Sequence, residues 1–266
     1  MMTFWGFTQP PFAKELRDPD YFLHPQFTEL VARLHIMVKT RAFGLVTGEI
    51  GSGKSCAVRY VTQQLDATRT PVVYIAESHL TPFDFYAQVL DAFGVGVPFQ
   101  RTQARRQFIT LMTDLYQHQG KQPLIVIDEA QSLPQTMIQE LRFVLNTAMD
   151  AVTPFTCILV GQPDLRTVLR LKAFEAIQQR VGLRFHLAGL SESDTTDYVA
   201  HHCQQAGAPR LLFTPSALRL LFVQSQGLPR VINRLALGAL WDAASAQAAM
   251  VDEPHMQRAL AEWREA

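Results

Sequence analysis

The chain has 266 residues, 48% of them hydrophobic and 18% charged, which is enough to bury a core and too apolar for a disordered protein. Lysine plus arginine and aspartate plus glutamate both number 24, so no bulk positive charge is available to coat nucleic acid, and any such contact has to be a local patch. Nineteen of the 24 cations are arginine, the side chain suited to phosphate forks and to reaching across an interface.

Residues 1–12 (MMTFWGFTQPPF) lack a basic stretch followed by an apolar one, so no secretory leader is expected. No segment approaches the roughly 18 apolar residues of a membrane span. Cys56, Cys157 and Cys203 are sparse and form no CxxC, which reads as reduced core thiols and a cytoplasmic location. Five short apolar runs follow in order, at 43–47, 72–76, 124–127, 155–160 and 183–187, each expected to be a strand buried on both faces. Helical spacing fills the gaps: Tyr60/Val61/Gln64/Leu65, Phe85/Val89/Leu90/Phe93, Phe108/Leu111/Met112/Leu115 and Met137/Leu141/Val144/Leu145. Alternation of this kind predicts an α/β fold with a parallel sheet.

Beyond 187 the pattern turns all-helical. Ser191 with an acidic first turn, and Thr214-Pro215, are helix starts. Gly227 ends the second helix, a third runs over about 230–247, and a fourth follows Asp252. The boundary is placed near Gly189, giving a nucleotide-binding core over 1–189, N-terminal segment included, and a helical lid over 190–266.

Residues 48–55, GEIGSGKS, match G-x-x-x-x-G-K-[ST] in full, after a predicted strand and before a predicted helix. Gly48, Gly51 and Gly53 allow backbone angles that turn successive N–H groups toward a phosphate, and the helix start adds its positive dipole end. Ser52 lies within that ring of amides. Lys54 is placed to reach the β- and γ-phosphates of ATP, and Ser55 to hold Mg2+. The third apolar run ends in Asp128-Glu129, which predicts a metal-organising aspartate and a glutamate that polarises the attacking water. The eight histidines give no ligand set: His201 and His202 are adjacent, so on a helix their side chains diverge by about 100°.

GEIGSGKS, LIVIDEAQ, CILVGQPDL, QQRVGLRFHL and QGLPRVINRL, in that order, resemble the AAA+ ATPases of the ExeA/GspA type and equally the TnsC/TniB-like ATPases that regulate DNA transposition. The opening FWGFTQPPF with DPDYFLHP is similar to the ExeA-type N-terminus, so the resemblance covers nearly the whole chain. It implies a P-loop AAA+ core with five parallel strands in the order 5-1-4-3-2 and an all-helical lid. It further implies that Gln162 senses the γ-phosphate and that Arg180 is an arginine finger acting on a neighbouring subunit, with Arg170 and Arg184 as nearby competitors. Arg230 matches the sensor-2 arginine of the lid, with Arg234 one turn on. Pro11 and Phe12 would wall the adenine, and Cys56 would follow Ser55 at the phosphates.

A finger acting in trans requires an oligomer, a ring or helical filament of this chain. In TnsC-like filaments DNA is contacted from the region of 100–107, where Arg101, Arg105 and Arg106 stand ready for phosphates. A filament would repeat these few cations along the duplex and offset the zero net charge. ExeA-type proteins continue into a membrane span and a cell-wall-binding domain, whereas this sequence ends after the lid. The expectation is therefore a cytoplasmic transposition regulator that assembles on double-stranded DNA with ATP and Mg2+. It would engage a transposase and a target-selection protein and make no membrane contact. The alternative is an ExeA/GspA-type ATPase assisting secretion-machinery assembly, and a third is a stand-alone remodelling ATPase.

Overall fold

The computed structural model describes residues 1–13, 20–145 and 153–265; Asp18 and Pro19 of the DPDYFLHP segment lie outside them. After a single opening turn, α1 (Met2–Trp5), and the helix α2 (Pro25–Thr40), the first apolar run forms β1 (Phe43–Gly48). The remaining runs form β2 (Val72–Ile75), β3 (Leu124–Ile127), β4 (Thr156–Gly161) and β5 (Val181–Leu187). All pair in parallel in the order β2-β3-β4-β1-β5, the expected order.

Burial follows that order. Every residue of β1, β3 and β4 is buried, because a central strand is covered on both faces. The edge strands β2 and β5 alternate instead, so the expectation of two-sided burial fails for them.

Contacts divide the chain into two compact units, one of Phe27–Gly48 and Lys54–Leu187, the other of Met1–Gln26, Glu49–Gly53 and Ala188–Ala266. The first holds the sheet with α3 (Lys54–Gln64), α4 (Pro82–Ala92), α5 (Arg101–Gln117), α6 (Gln135–Val144) and the short α7 (Asp164–Leu169) and α8 (Glu175–Gln178). Its core includes Phe85, Tyr86, Phe108 and Phe155, whose neighbouring rings lie 5.4–5.5 Å apart. Each such ring contributes roughly 1.5–3 kcal/mol through burial alone. The buried Glu140 of α6 is satisfied from two helices. The Tyr86 hydroxyl donates to it at 2.7 Å and Arg105 lies 3.7 Å away, an arrangement that offsets the cost of burying a charge.

The second unit is helical: α9 (Glu192–Gln205), α10 (Pro215–Ser225), α11 (Pro229–Ser245) and α12 (Glu253–Glu265). Ser191 caps α9 by accepting from the Asp194 N–H at 3.0 Å, and Thr214 caps α10 by accepting from the Ala217 N–H at 3.3 Å. Among the described residues, Phe213, just before α10, and Val251, just before α12, form an isolated parallel bridge where only helix is expected.

The N-terminal segment packs in this unit rather than with the sheet, to which the sequence reading assigned it. Trp5, Phe7 and Phe12 are buried with the α9 and α11 side chains, the Trp5 indole donates to the Leu240 carbonyl at 3.0 Å, and the Thr8 N–H donates to Ala206 O at 2.8 Å. The cause is the run of large aromatics, which needs an apolar partner, and α9 and α11 supply it.

Candidate nucleotide site

The site is built where strands end. β1 stops at Gly48 and α3 begins at Lys54. Between them Gly51 has φ 82° and Gly53 φ 101°, values that side chains with a Cβ rarely adopt. Gly51 is also crowded: a Cβ there would sit 2.5 Å from Arg230 Cβ. The Arg230 N–H donates to Gly51 O at 3.3 Å, so the first turn of α11 lies directly on the loop. Arg230 is exposed, as is Arg234 one turn on.

The Lys54 ammonium is buried and donates to Gly48 O at 2.9 Å, which draws the lysine back over the loop. The buried Ser52 hydroxyl has no hydrogen-bond partner among the described residues. Ser55 Oγ donates to Asp128 Oδ2 at 2.7 Å, across the gap between α3 and the end of β3. A hydroxyl and a carboxylate this close form a hard-oxygen pair of the kind Mg2+ takes. With the loop glycines and the orphaned Ser52 hydroxyl, the residues present fit a bound nucleotide and its metal. Cys56 follows, half-buried, its thiol pushed up by burial.

Two side chains at the strand ends were not anticipated. Tyr74, on the edge strand β2, donates its hydroxyl to the same Asp128 oxygen that Ser55 uses. Burial first, and the carboxylate second, hold its phenol well above the ordinary tyrosine value. Parallel pairing of β2 with β3 aligns Tyr74 with Val126, which brings its ring up beside the strand end. The other is Gln131. Glu129 stands in the left-handed region, φ 53° and ψ 33°, with its N–H donating to Asp128 Oδ1 at 2.8 Å. Gln131 then donates from Nε2 to Glu129 Oε2 at 2.6 Å and accepts the Gln162 N–H at Oε1, 2.9 Å away. Gln162, directly after β4, is thereby linked to Glu129.

The remaining candidates scatter. Arg180 is half-buried and donates to Leu145 O at 3.4 Å within its own chain. Arg166, Arg170 and Arg184, all exposed, line a cavity of about 190 Å3 with Thr47 and His186, so both competitors of Arg180 lie on one positive face. Phe12 is buried, stacked on Tyr198 with ring centroids 6.4 Å apart and set against His202 at 5.5 Å, beside a buried Pro11. Of the three α5 arginines, Arg101 and Arg106 are exposed, whereas Arg105 turns inward to Glu140 and lies over the Phe143 ring at 4.7 Å.

The AAA domain family matches residues 36–169, a span that runs from α2 through both motifs and β4 to α7. The chain belongs to that family. As an AAA ATPase it carries its phosphate loop and acidic strand end inside the matched span. It is 32% identical over 241 residues to General secretion pathway protein A of Aeromonas hydrophila, covering 89% of this chain and 44% of the relative. It is 27% identical over 138 residues to ORC1-type DNA replication protein 9 of Halobacterium salinarum, covering 50% of this chain and 38% of the relative. The AAA chain thus spans less than half the length of the curated relatives it matches.

Among solved structures, Cdc6p of Pyrobaculum aerophilum superposes with a TM-score of 0.69 at 13% identity, over 90% of this chain and 67% of that one. The Aeropyrum pernix ORC1 protein, solved in complex with DNA, gives 0.67 at 19% identity over 93% and 68%. These show the shared AAA+ fold. No helix among the described residues is long and apolar enough to cross a membrane.

Proposed function

We propose that this chain is a cytoplasmic, Mg2+-dependent ATPase that works as an oligomer of itself and assists assembly of the machinery of a general secretion pathway. The observation that carries the chemistry is the Ser55–Asp128 pair at 2.7 Å with Glu129 the next residue. The likeness over 89% of the chain to General secretion pathway protein A favours the secretion setting over transposition.

When bound, Mg2+ would supply positive charge that offsets that of the phosphates. Ser55 and Asp128 would hold it. Lys54 would leave Gly48 O for the β- and γ-phosphates, and the amides of Gly48, Gly51, Ser52, Gly53 and Cys56 would surround them. Glu129 would orient and deprotonate water, and Gln162 would sense the γ-phosphate. Arg230, already seated on Gly51, would reach the nucleotide from α11. Arg180, or Arg170 or Arg184 beside it, would enter a neighbouring copy's site, where such a finger accelerates hydrolysis by roughly 10³–10⁵. Pro11 and Phe12 would bound the adenine only if Phe12 leaves Tyr198.

Turnover measured with and without Mg2+ tests this reading. Lys54→Ala is expected to abolish binding or hydrolysis, and Glu129→Gln to retain ATP while blocking cleavage. Wild-type turnover in either variant would remove that residue from its role.

A second reading, a regulator that assembles on double-stranded DNA and engages a transposase and a target-selection protein, draws on the exposed Arg101 and Arg106 and on the DNA complex of the ORC1 neighbour. It predicts ATP-dependent retention on duplex DNA that falls steeply with salt and is weakened by Arg101→Glu with Arg106→Glu. The secretion reading predicts no such retention.

A further inference from the structure

We infer that Gln131 is a positioning residue for hydrolysis, its single amide clamping the Glu129 carboxylate and the Gln162 backbone at once. The inference rests on the proposed role of Glu129 as the base.

Both ends of the amide are engaged, Nε2 to Glu129 Oε2 at 2.6 Å and Oε1 from the Gln162 N–H at 2.9 Å. Chemistry fixes its orientation. A carboxylate accepts and a backbone N–H donates, so the flipped amide would set oxygen against oxygen and N–H against N–H. The backbone delivers the side chain to this place. The left-handed turn at Glu129 is followed at once by a 3₁₀ turn, Ala130–Ser132, closed by the Ser132 N–H on Glu129 O at 2.9 Å. The turn carries Gln131 back between β3 and β4. The receiving strand is shaped for it: a Cβ at Gly161 would lie 2.8 Å from Gln131 Oε1 and 3.2 Å from Gln131 N. Glycine at the last position of β4 is therefore what lets the amide reach Gln162.

The consequence is geometric. Glu129 is exposed and, without a second attachment, rotates freely about its side-chain bonds. Gln131 ties it to the end of the adjacent strand, so that the base and Gln162 keep one spacing. Asparagine is one methylene too short to hold both partners. Glutamate would keep the acceptor for Gln162 and set a second negative charge beside Glu129.

The test uses steady-state ATPase kinetics, nucleotide affinity and thermal melting on the full chain. Gln131→Leu is expected to lower kcat by about 10- to 100-fold, the scale of a misplaced catalytic group. KM and the Kd for a non-hydrolysable ATP analogue should stay within about twofold, because the phosphate loop is untouched. Gln131→Glu, which keeps the side-chain length and loses the donor to Glu129, should lower kcat to a similar extent while leaving KM and that Kd in place. A loss of kcat at unchanged KM and Kd is a readout no loss of packing produces. Gly161→Ala, which displaces the amide without altering it, should reproduce the kcat loss. If one variant fails to fold, the other two carry the test.

A Gln131→Leu kcat within twofold of wild type, or above it, overturns the inference, as does an undiminished kcat in Gln131→Glu. Glu129→Gln separates the two failures. If it blocks cleavage while Gln131→Leu does not slow it, only the clamp is wrong. If it turns over normally, the base assignment falls and the clamp with it.

Discussion

Asp128 is the most heavily used side chain at the strand ends, accepting from Ser55, from Tyr74 and from the Glu129 N–H. Two hydroxyls on one oxygen compete with a cation for the same lone pairs. Removing the Tyr74 hydroxyl should therefore ease metal entry. Tyr74→Phe is expected to lower the half-saturating Mg2+ concentration by about three- to tenfold, the worth of one hydrogen bond. Titrating Mg2+ against ATPase rate reads it directly, and an unchanged midpoint would make Tyr74 a packing residue only. Glu129 adds a backbone cost on the order of 1–2 kcal/mol for its left-handed turn. Glu129→Gly should accordingly melt above Glu129→Ala while sharing its inactivity. The positions of Lys54, Ser55, Asp128 and Glu129 at the strand ends were legible because spacing along a few residues places them there. Tyr74 and Gln131 were not legible in that way. Tyr74 reaches Asp128 through cross-strand register, and Gln131 reaches Gln162 through a dihedral at Glu129, neither of which composition or periodicity records.

At the scale of elements, strands and helix starts were readable wherever one local rule decided them. Apolar runs gave β1, β3 and β4, and hydroxyl caps gave α9 and α10. The strand order came from resemblance, since an apolar run does not say which neighbour covers it, and so β2 and β5 could not be told from the centre. The α10–α11 turn shows how tightly elements are joined. α10 ends with Gln226 and Gly227 both left-handed, and a Cβ on Gly227 would fall 2.0 Å from Leu190 O. The Leu190 N–H donates to Gly227 O at 2.8 Å, so the approach to α9 and the α10–α11 turn share one backbone contact. Gly227→Ala combines a left-handed penalty with a backbone collision. It is expected to destabilise by more than about 3 kcal/mol, beyond the range of ordinary substitutions. A melting temperature near wild type would mean that the Leu190 segment gives way without cost.

For the molecule as a whole, the helical unit carries its own sensitivity to acid. Burial, aided by neighbouring His201, depresses His202 to about 4. Its ring is packed against Phe12 and Tyr198. The unfolded chain takes up a proton near pH 6.5 that the folded chain refuses until about pH 4. Stability is therefore unaffected above about pH 6.5 and falls as pH drops through that window, by on the order of 3 kcal/mol in all. Melting His202→Phe alongside wild type between pH 7.5 and pH 4.5 should show the flatter slope in the variant, and equal slopes would exclude His202 as the source. The sequence did not reveal this unit's full membership: aromatic residues at 4–12 announce burial without saying against what. Their placement has a practical corollary. Trimming the first dozen residues as a dispensable leader would unroof Leu240 and Tyr198 and leave an oily trench on the helices.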